Sequence, residues 1–267
     1  MTLVVLACSS CQTVEERAEP EEELLPGPVP GQTTIITVYD NYLVDPDLTT
    51  GWGFGCVVRT PEADILFDTG GDSSVLLSNM DKMGIQPEDI EIVVISHIHG
   101  DHVGGLEGFL ERNGDVRVVI PASFPDEIRE RIRASGAECE EARGPMQICD
   151  HVYSTGEMGT SIKEQSLVVC TGQGVVVVTG CAHPGVVNIA RQAKQMLPQE
   201  DICLVMGGFH LSGASEPQLR SIIAAFREMG IRQVAPSHCS GDLCRQLFAA
   251  EYGGDYVEGG LGKTITL

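Results

Sequence analysis

Short apolar runs separated by glycine, proline and acidic turns recur along the chain from residue 32 onward. In the first half, the pattern predicts strands at TTIITVYD, GFGCVVRT, DILFDTG, EIVVIS and VRVVIP, and helices at SSVLLSNMDKMG, GLEGFLERNG and FPDEIRERIRASG. In the second half, it predicts strands at SLVVC, GVVVVTG, ICLVMGG and RQVAPS, and helices at GVVNIARQAKQML, SEPQLRSIIAAFREMG and DLCRQLFAAEYGG. In both halves, strands come first and β-α alternation follows. This order predicts an α/β fold in which two sheets pack together with helices outside.

Residues 1–31 differ in composition from the rest, and we expect them to lie outside a single folded domain of residues 32–267. A short apolar run, TLVVLA, ends at Cys8, and the Glu- and Pro-rich stretch VEERAEPEEELLPGPVPG follows, which favours a flexible linker. The run resembles a lipobox, in which an acylated Cys8 would tether the protein to a membrane. However, no Lys or Arg precedes it and it is short for a signal peptide. A cell-envelope lipoprotein and a cytoplasmic protein with a disordered leader both stay open.

The charge of the chain argues against one class of partner. The 267 residues have a formal net charge of −21, and the 17 Lys and Arg residues form no basic run, whereas binding to a nucleic-acid backbone depends on clustered basic side chains. We therefore expect a small-molecule substrate and no nucleic-acid partner. Of the ten cysteines, Cys8 and Cys11 form the only C-x-x-C pair, so the spacing favours buried free thiols over disulfides or a zinc knuckle.

The densest chemical signal is the segment SHIHGDHVGG, which directly follows the apolar run Ile92–Ile95. His97 and His99 are two residues apart at the end of a predicted strand, so their side chains point to the same side. The glycine-containing turn then brings Asp101 and His102 round to face them. The imidazole pair suits one divalent metal, and the carboxylate with the third imidazole suits a second metal beside it. A histidine-rich surface turn is the alternative interpretation.

Three further histidines each follow an apolar, strand-like run: His183, His210 and His238. Because strand ends at one sheet edge converge in space, scattered positions can supply one site. Each residue taken alone is better explained as a structural histidine than as a ligand. Beside a motif that lacks its full ligand count, His183 and His238 become predicted metal ligands, whereas His210 stays open between a structural histidine and a ligand.

These motifs resemble the metallo-β-lactamase superfamily over residues 32–267, through HIHGDH after a strand, LFDTGGD upstream and a late histidine at a strand end. TGCAHPG, GGFHL, PSHCSG, YDNY and EQSL are similar to the branch that includes the archaeal dihydropterin ribofuranosylaminobenzene phosphate synthase and related metal-dependent hydrolases. The resemblance implies an αββα four-layer sandwich with two divalent metal ions, zinc being the first choice and iron or manganese the alternatives. One metal would be held by His97, His99 and His183, and the other by Asp101, His102 and His238.

The chain departs from that family at the motif TGCAH. Most members place a bridging Asp where Cys181 stands here. Either Cys181 binds metal as a thiolate, or His183 completes the ligand set and Cys181 supports it. We favour His183, because an imidazole completes the nitrogen-rich set. The family also implies that Asp68 orients the metal-binding loop by accepting backbone N–H bonds.

The favoured function is that of a metallo-hydrolase in which a metal-activated water attacks a small ester, thioester, lactone or phosphoester. Asp101 would orient this water while ligating, and His210 would donate a proton or hydrogen bond to the developing charge. A synthase-like transferase is the first alternative, and a non-catalytic metal-binding envelope protein is the second. The loop LTTGWGFGCVV differs from the branch, so substrate specificity is not carried over.

Overall fold

The computed structural model describes residues 31–267. The predicted leader, including Cys8 and Cys11, lies outside the described residues except for Gly31. Within residues 31–267 the structure contains thirteen strands: β1 (Thr34–Tyr39), β2 (Gly55–Arg59), β3 (Asp64–Phe67), β4 (Ile92–Val94), β5 (Arg117–Pro121), β6 (Glu138–Ala142), β7 (Met146–Cys149), β8 (Val152–Ser154), β9 (Leu167–Thr171), β10 (Gly174–Thr179), β11 (Ile202–Gly208), β12 (Gln233–Ser237) and β13 (Thr264–Thr266).

The same part of the chain forms seven α-helices: α1 (Ser73–Lys82), α2 (Gly100–Val103), α3 (Leu106–Arg112), α4 (Asp126–Ala134), α5 (Val186–Met196), α6 (Glu216–Glu228) and α7 (Asp242–Tyr252). Short 3-10 turns occupy Pro87–Asp89, His238–Ser240 and Gly253–Asp255. The predicted start of α6 is confirmed, because Ser215 caps this helix in a capping box with Gln218. None of the helices described is long and apolar enough to cross a membrane.

The strands form two mixed sheets, with the orders β13-β1-β2-β3-β4-β5-β6 and β12-β11-β10-β9-β8-β7 in the described residues. Strands β3 to β6 are parallel in the first sheet, and β10 to β12 are parallel in the second. The carboxyl ends of parallel strands lie at one edge of their sheet. Ligands in α/β proteins characteristically bind outside such an edge.

Apolar side chains hold four layers together. Phe67, Val94 and Val178 belong to the core between the two sheets. On the outer face of the first sheet, neighbouring Val93 packs in the cluster that includes Phe109 of α3. Helices α5, α6 and α7 cover the outer face of the second sheet in the same way. Successive residues of a strand point to opposite faces, so central strands buried on both faces are apolar throughout. The predicted αββα sandwich is confirmed.

Four strands were not predicted from the sequence: β6, β7, β8 and β13. Three of them lie at sheet edges, where side chains can face solvent and the strand does not need an apolar sequence. β6 has the sequence ECEEA, and its Glu140 pairs with Arg117 of β5 at 2.7 Å. β8 and β13 are three residues long, which is too short to show a period. The predicted strand and helix positions elsewhere correspond to elements of the fold.

Candidate metal centre

The six predicted ligands converge where the two sheets meet. His97 and His99 follow β4, Asp101 and His102 lie on α2, His183 follows β10, and His238 begins the turn after β12. The ring centroids of His97 and His102 are 4.2 Å apart, those of His102 and His238 5.1 Å, and those of His99 and His183 4.8 Å. Sequence positions that are up to 141 residues apart therefore build one cluster.

Three imidazoles form the first group of donors. His99 Nδ1 lies 3.1 Å from His97 Nε2 and 3.2 Å from His183 Nε2. Nitrogen atoms bound to one zinc ion at about 2.0–2.1 Å in tetrahedral geometry would lie about 3.3 Å from one another. The spacing of these three nitrogens fits a shared divalent cation.

The second group contains a sulfur atom in addition to the predicted donors. Cys181 Sγ lies 3.2 Å from His102 Nε2 and 3.4 Å from His238 Nε2. Asp101 Oδ2 lies 3.7 Å and 3.4 Å from the same two nitrogens. A tetrahedral zinc ion with one sulfur ligand would separate its donors by about 3.3–3.6 Å. The four distances are close to this spacing, and all four atoms lie within 4.8 Å of one another.

Cys181 is common to both groups, because its Sγ also lies within 4.8 Å of the ligand atoms of His97 and His183. From the sequence alone, Cys181 and His183 are alternative ligands. In the structure they occupy different positions around the cluster, and both are within reach of a cation.

Asp68 follows β3 and orients the motif. One carboxylate oxygen accepts the backbone N–H of Ser96 at 2.7 Å, and the other accepts the Ser96 hydroxyl and lies 2.7 Å from His102 Nδ1. Asp68 is fully buried. Its bond to Nδ1 turns Nε2 of His102 toward the cluster, which is how a carboxylate behind a ligating imidazole acts. These contacts support the orienting role that is expected for Asp68.

Glu164 fixes the turn that carries Cys181 and His183. Its carboxylate accepts the backbone N–H groups of Cys181, Ala182 and His183 at 2.9, 2.7 and 2.7 Å. Burial raises the pKa of Glu164 to about 7, against the lowering effect of these three N–H donors. The segment EQSL, noted above for its resemblance alone, thus supplies the support of this turn.

Asp40 and Asn41 were missed as functional residues by the sequence analysis. Asn41 Oδ1 lies 2.9 Å from His238 Nδ1, and Asp40 Oδ1 accepts the backbone N–H of His238 at 3.3 Å. The motif YDNY contained this signal, but its partner lies almost 200 positions away and nothing local relates the two. Both residues orient His238 from behind.

His210 stands at the exposed side of the cluster, and its ring centroid lies 4.3 Å from that of His183. Its backbone N–H donates to Cys239 Sγ at 3.3 Å. His210, Cys181 and Cys239 form a third group whose ligand atoms lie within 4.8 Å of one another. The structure thus brings His210 to the site.

Backbone strain is concentrated at the cluster. Among the described residues, five non-glycine residues have positive φ, and four of them belong to the site: Asp68 (59°), Ala182 (60°), His210 (53°) and His238 (48°). Such conformations cost about 1–3 kcal/mol each and persist only where the surrounding structure enforces them. The fold therefore holds these turns in place for the side chains that they present.

The electrostatics keep three of the donors, His97, His183 and Asp101, in the form that binds a cation. Burial, followed by the charges of neighbouring imidazoles, lowers the pKa of His97, and the same causes lower that of His183 to about 4. Burial opposes ionisation of Asp101, but hydrogen bonding to His238 and the nearby imidazoles hold its pKa well below the usual range. Neutral imidazoles and an ionised carboxylate are the forms that bind metal. The residues present fit a divalent metal.

Comparison with known proteins agrees with this geometry. A family model described as the metallo-beta-lactamase superfamily matches residues 56–193, which is about half of the chain. The archaeal 7,8-dihydropterin-6-methyl-4-(beta-D-ribofuranosyl)-aminobenzene-5'-phosphate synthase of Methanocaldococcus jannaschii is 26% identical, with 75% of this chain and 83% of that protein covered.

Two further relatives cover most of the chain. An uncharacterised protein of the same organism is 27% identical over 80% of this chain and 92% of its own. The crystal structure of Tm1679, described as a metal-dependent hydrolase of the beta-lactamase superfamily, has a TM-score of 0.75 and 27% identity, with 87% of this chain and 98% of that chain covered. Family match, fold and donor set agree, and the chain belongs to the metallo-β-lactamase superfamily.

Proposed function

We propose that this protein is a metal-dependent hydrolase that acts on a small ester, thioester, lactone or phosphoester. The observation that carries the proposal is the pair of donor groups, three imidazoles and a His-His-Asp-Cys set, built side by side around Cys181. Two divalent cations in such a site supply Lewis acidity, which lowers the pKa of a water towards about 7 and polarises a substrate oxygen. Support for this reaction class comes from Tm1679, described as a hydrolase.

The first cation would be held by His97, His99 and His183, and the second by Asp101, His102 and His238. The proposal adds Cys181 to the second set, since its sulfur completes the four-atom spacing. A cation at this position favours the thiolate. Zinc suits this mixture of nitrogen, oxygen and sulfur donors, with iron and manganese as alternatives.

Two side chains would act on the reacting groups. The Asp101 carboxylate is 22% exposed, so it faces both the donor cluster and the opening, where it can orient an attacking water. His210 lies beside His183 and is exposed, and this position supports a role in which its ring would donate a hydrogen bond or proton to a substrate oxygen that gains negative charge. In this proposal His210 would be the acid at the rim and Asp101 would orient the water, and no serine nucleophile is needed.

A screen of nitrophenyl esters, thioesters, lactones and phosphodiesters tests the proposal, using protein loaded with zinc or manganese. We expect turnover of one class, which chelation abolishes and metal restores. Asp101→Asn should reduce turnover about 100-fold or more, as for loss of a group that acts on the reacting atoms. Asp81→Asn on the exposed side of α1 serves as the control and should retain full activity. Turnover that is unaffected by both chelation and Asp101→Asn would reject the hydrolase proposal.

A transferase of the synthase type is the second candidate, favoured by the relationship to the archaeal synthase over 83% of that protein. In such a reaction the same cations would stabilise a diphosphate leaving group while an aryl amine or arene attacks a pterin methylene. Release of diphosphate from a pterin methyl diphosphate that requires the aromatic co-substrate would select the transferase. Release that occurs equally with water alone would select the hydrolase.

A further inference from the structure

Cys181 and Cys239 form a contact that the proposed reaction does not use. Their Sγ atoms are 3.4 Å apart, and the side chains are buried, with 3% and 5% exposure. Cys181 follows β10 and Cys239 follows β12, so the two sulfurs meet across the end of the intervening strand β11.

The local backbone leaves room for this meeting. A Cβ on Gly208, at the end of β11, would lie 2.8 Å from Cys239 Sγ and 2.2 Å from the carbonyl oxygen of Gly180. Any side chain at position 208 would therefore enter the space between the two turns. Because Gly208 has no side chain, this space stays free, and the two sulfurs can lie close together at the end of β11.

Each sulfur is tied to a different part of the site. Cys181 Sγ contacts His102 and His238 of the second donor group. Cys239 Sγ accepts the backbone N–H of His210, and its carbonyl oxygen accepts the backbone N–H groups of Leu211 and Ser212. A chemical change at this cysteine pair would therefore affect both the second donor group and the turn that carries His210.

We propose that Cys181 and Cys239 are a redox-sensitive pair that a hydroperoxide converts to a disulfide, and that the disulfide switches off metal binding. In the first step, the sulfur of one cysteine attacks the peroxide oxygen, which gives a sulfenic acid and water. In the second step, the other thiol attacks the sulfenic sulfur, the S–S bond forms and a second water leaves. Two thiols and one hydrogen peroxide thus give one disulfide and two waters.

The consequence for metal rests on the proposed function. A disulfide sulfur carries no negative charge and is bonded to a second sulfur, so Cys181 can no longer complete the donor set of His102, His238 and Asp101. Loss of a supporting interaction at a metal site lowers affinity about 10- to 100-fold. Metal bound at the site should in turn slow the oxidation, because the thiolate is then shared with the cation.

The experiment uses the full chain, reduced and metal-free, with hydrogen peroxide as the oxidant. Remaining thiols are alkylated, the protein is digested without reduction, and cross-linked peptides are identified by mass spectrometry. We expect a peptide pair joined through Cys181 and Cys239, absent in Cys181→Ser and Cys239→Ser and unchanged in Cys149→Ser, a partly exposed cysteine on β7. Failure to form this cross-link in the unaltered chain would overturn the proposal.

Zinc titration of the reduced and oxidised proteins gives the second measurement. Oxidation should weaken zinc binding at least about tenfold, and dithiothreitol should restore it. Cross-linking with unaltered zinc affinity would overturn the switch. Should the reduced chain itself bind no zinc, the proposed function fails, whereas the disulfide is still decided by the cross-linked peptide.

Discussion

At the scale of single residues, the site depends on two side chains that occupy neighbouring positions without replacing each other. His183 joins the three-imidazole group, and Cys181 stands between that group and the pair formed by His102 and His238. Imidazole and thiolate are both strong zinc ligands, but only a thiolate gives an intense charge-transfer band with cobalt. The two contributions can therefore be separated by spectroscopy.

Cobalt substitution of the unaltered chain should give a near-ultraviolet thiolate band. Cys181→Ser should abolish this band and weaken one of the two metals at least about tenfold. His183→Ala should retain the band and weaken the other metal. Cys149→Ser is the control, and its spectrum should match that of the unaltered chain. If the band persists in Cys181→Ser, Cys181 does not bind the metal and only supports the ligands.

His210 gives a second prediction at this scale. Three ligands are proposed for the first metal and four for the second, and a further ligand from His210 beside His183 would close the position that a water needs at the first metal. We therefore expect His210→Ala to keep its metal and to lower kcat about 100-fold, as for the loss of one acid or oxyanion donor. Metal analysis and turnover of the same preparation check this. Loss of metal in the variant would instead support the group of His210, Cys181 and Cys239.

At the scale of elements, the site is assembled by loops that are fastened to one another. Glu164 lies between β8 and β9, and its carboxylate holds the turn after β10 through three backbone N–H groups. A Gln at this position has one acceptor oxygen and turns an N–H₂ group toward the remaining donor. Glu164→Gln should therefore destabilise the fold by about 2 kcal/mol and weaken metal binding.

Thermal unfolding and zinc titration of Glu164→Gln check this expectation. Glu111→Gln, on the exposed side of α3, changes the same chemical group without these contacts and should leave both quantities unaltered. Equal behaviour of the two variants would show that the turn holds its shape without Glu164.

The elements that the sequence could predict are those buried on two faces. β4, β10 and β11 contain continuous apolar runs because one face meets the opposite sheet and the other meets helices. β6 could not be predicted because its glutamates lie at the edge of the first sheet. There, pairing with β5 and an ion pair with Arg117 hold the strand in place of apolar burial. The pattern of apolar residues along the sequence indicates which strands are buried. Edge strands show no such pattern, because pairing with neighbouring strands holds them in place.

At the scale of the whole molecule, the sequence predicts a folded domain that does not need its leader. Residues 1–31 carry no periodic apolar pattern, so a chain that begins at Gly31 should melt within a few degrees of the full chain. A large fall in melting temperature would refute the linker interpretation.

If Cys8 is acylated, the full chain should associate with membranes and Cys8→Ala should be released.

The site was predictable as far as its ligands follow recognisable strand ends. His97, His99, Asp101 and His102 stand in one motif, and His183 and His238 each follow an apolar run. Their supports could not be predicted in the same way, since Asn41 meets His238 only through the closure of the fold. The contact of Cys181 with Cys239 likewise exists only because β10 and β12 flank β11. Spacing shows which residues can bind metal, and tertiary structure shows what orients them.

The most direct test of the whole account is the metal content of the purified protein, measured by elemental analysis after anaerobic preparation and loading. We expect about two equivalents of zinc, iron or manganese per chain. We also expect His97→Ala combined with His102→Ala to lose this metal while circular dichroism shows a retained fold. A chain that binds no metal after loading, or a double variant that keeps the full two equivalents, would contradict the binuclear site and the hydrolase proposed from it.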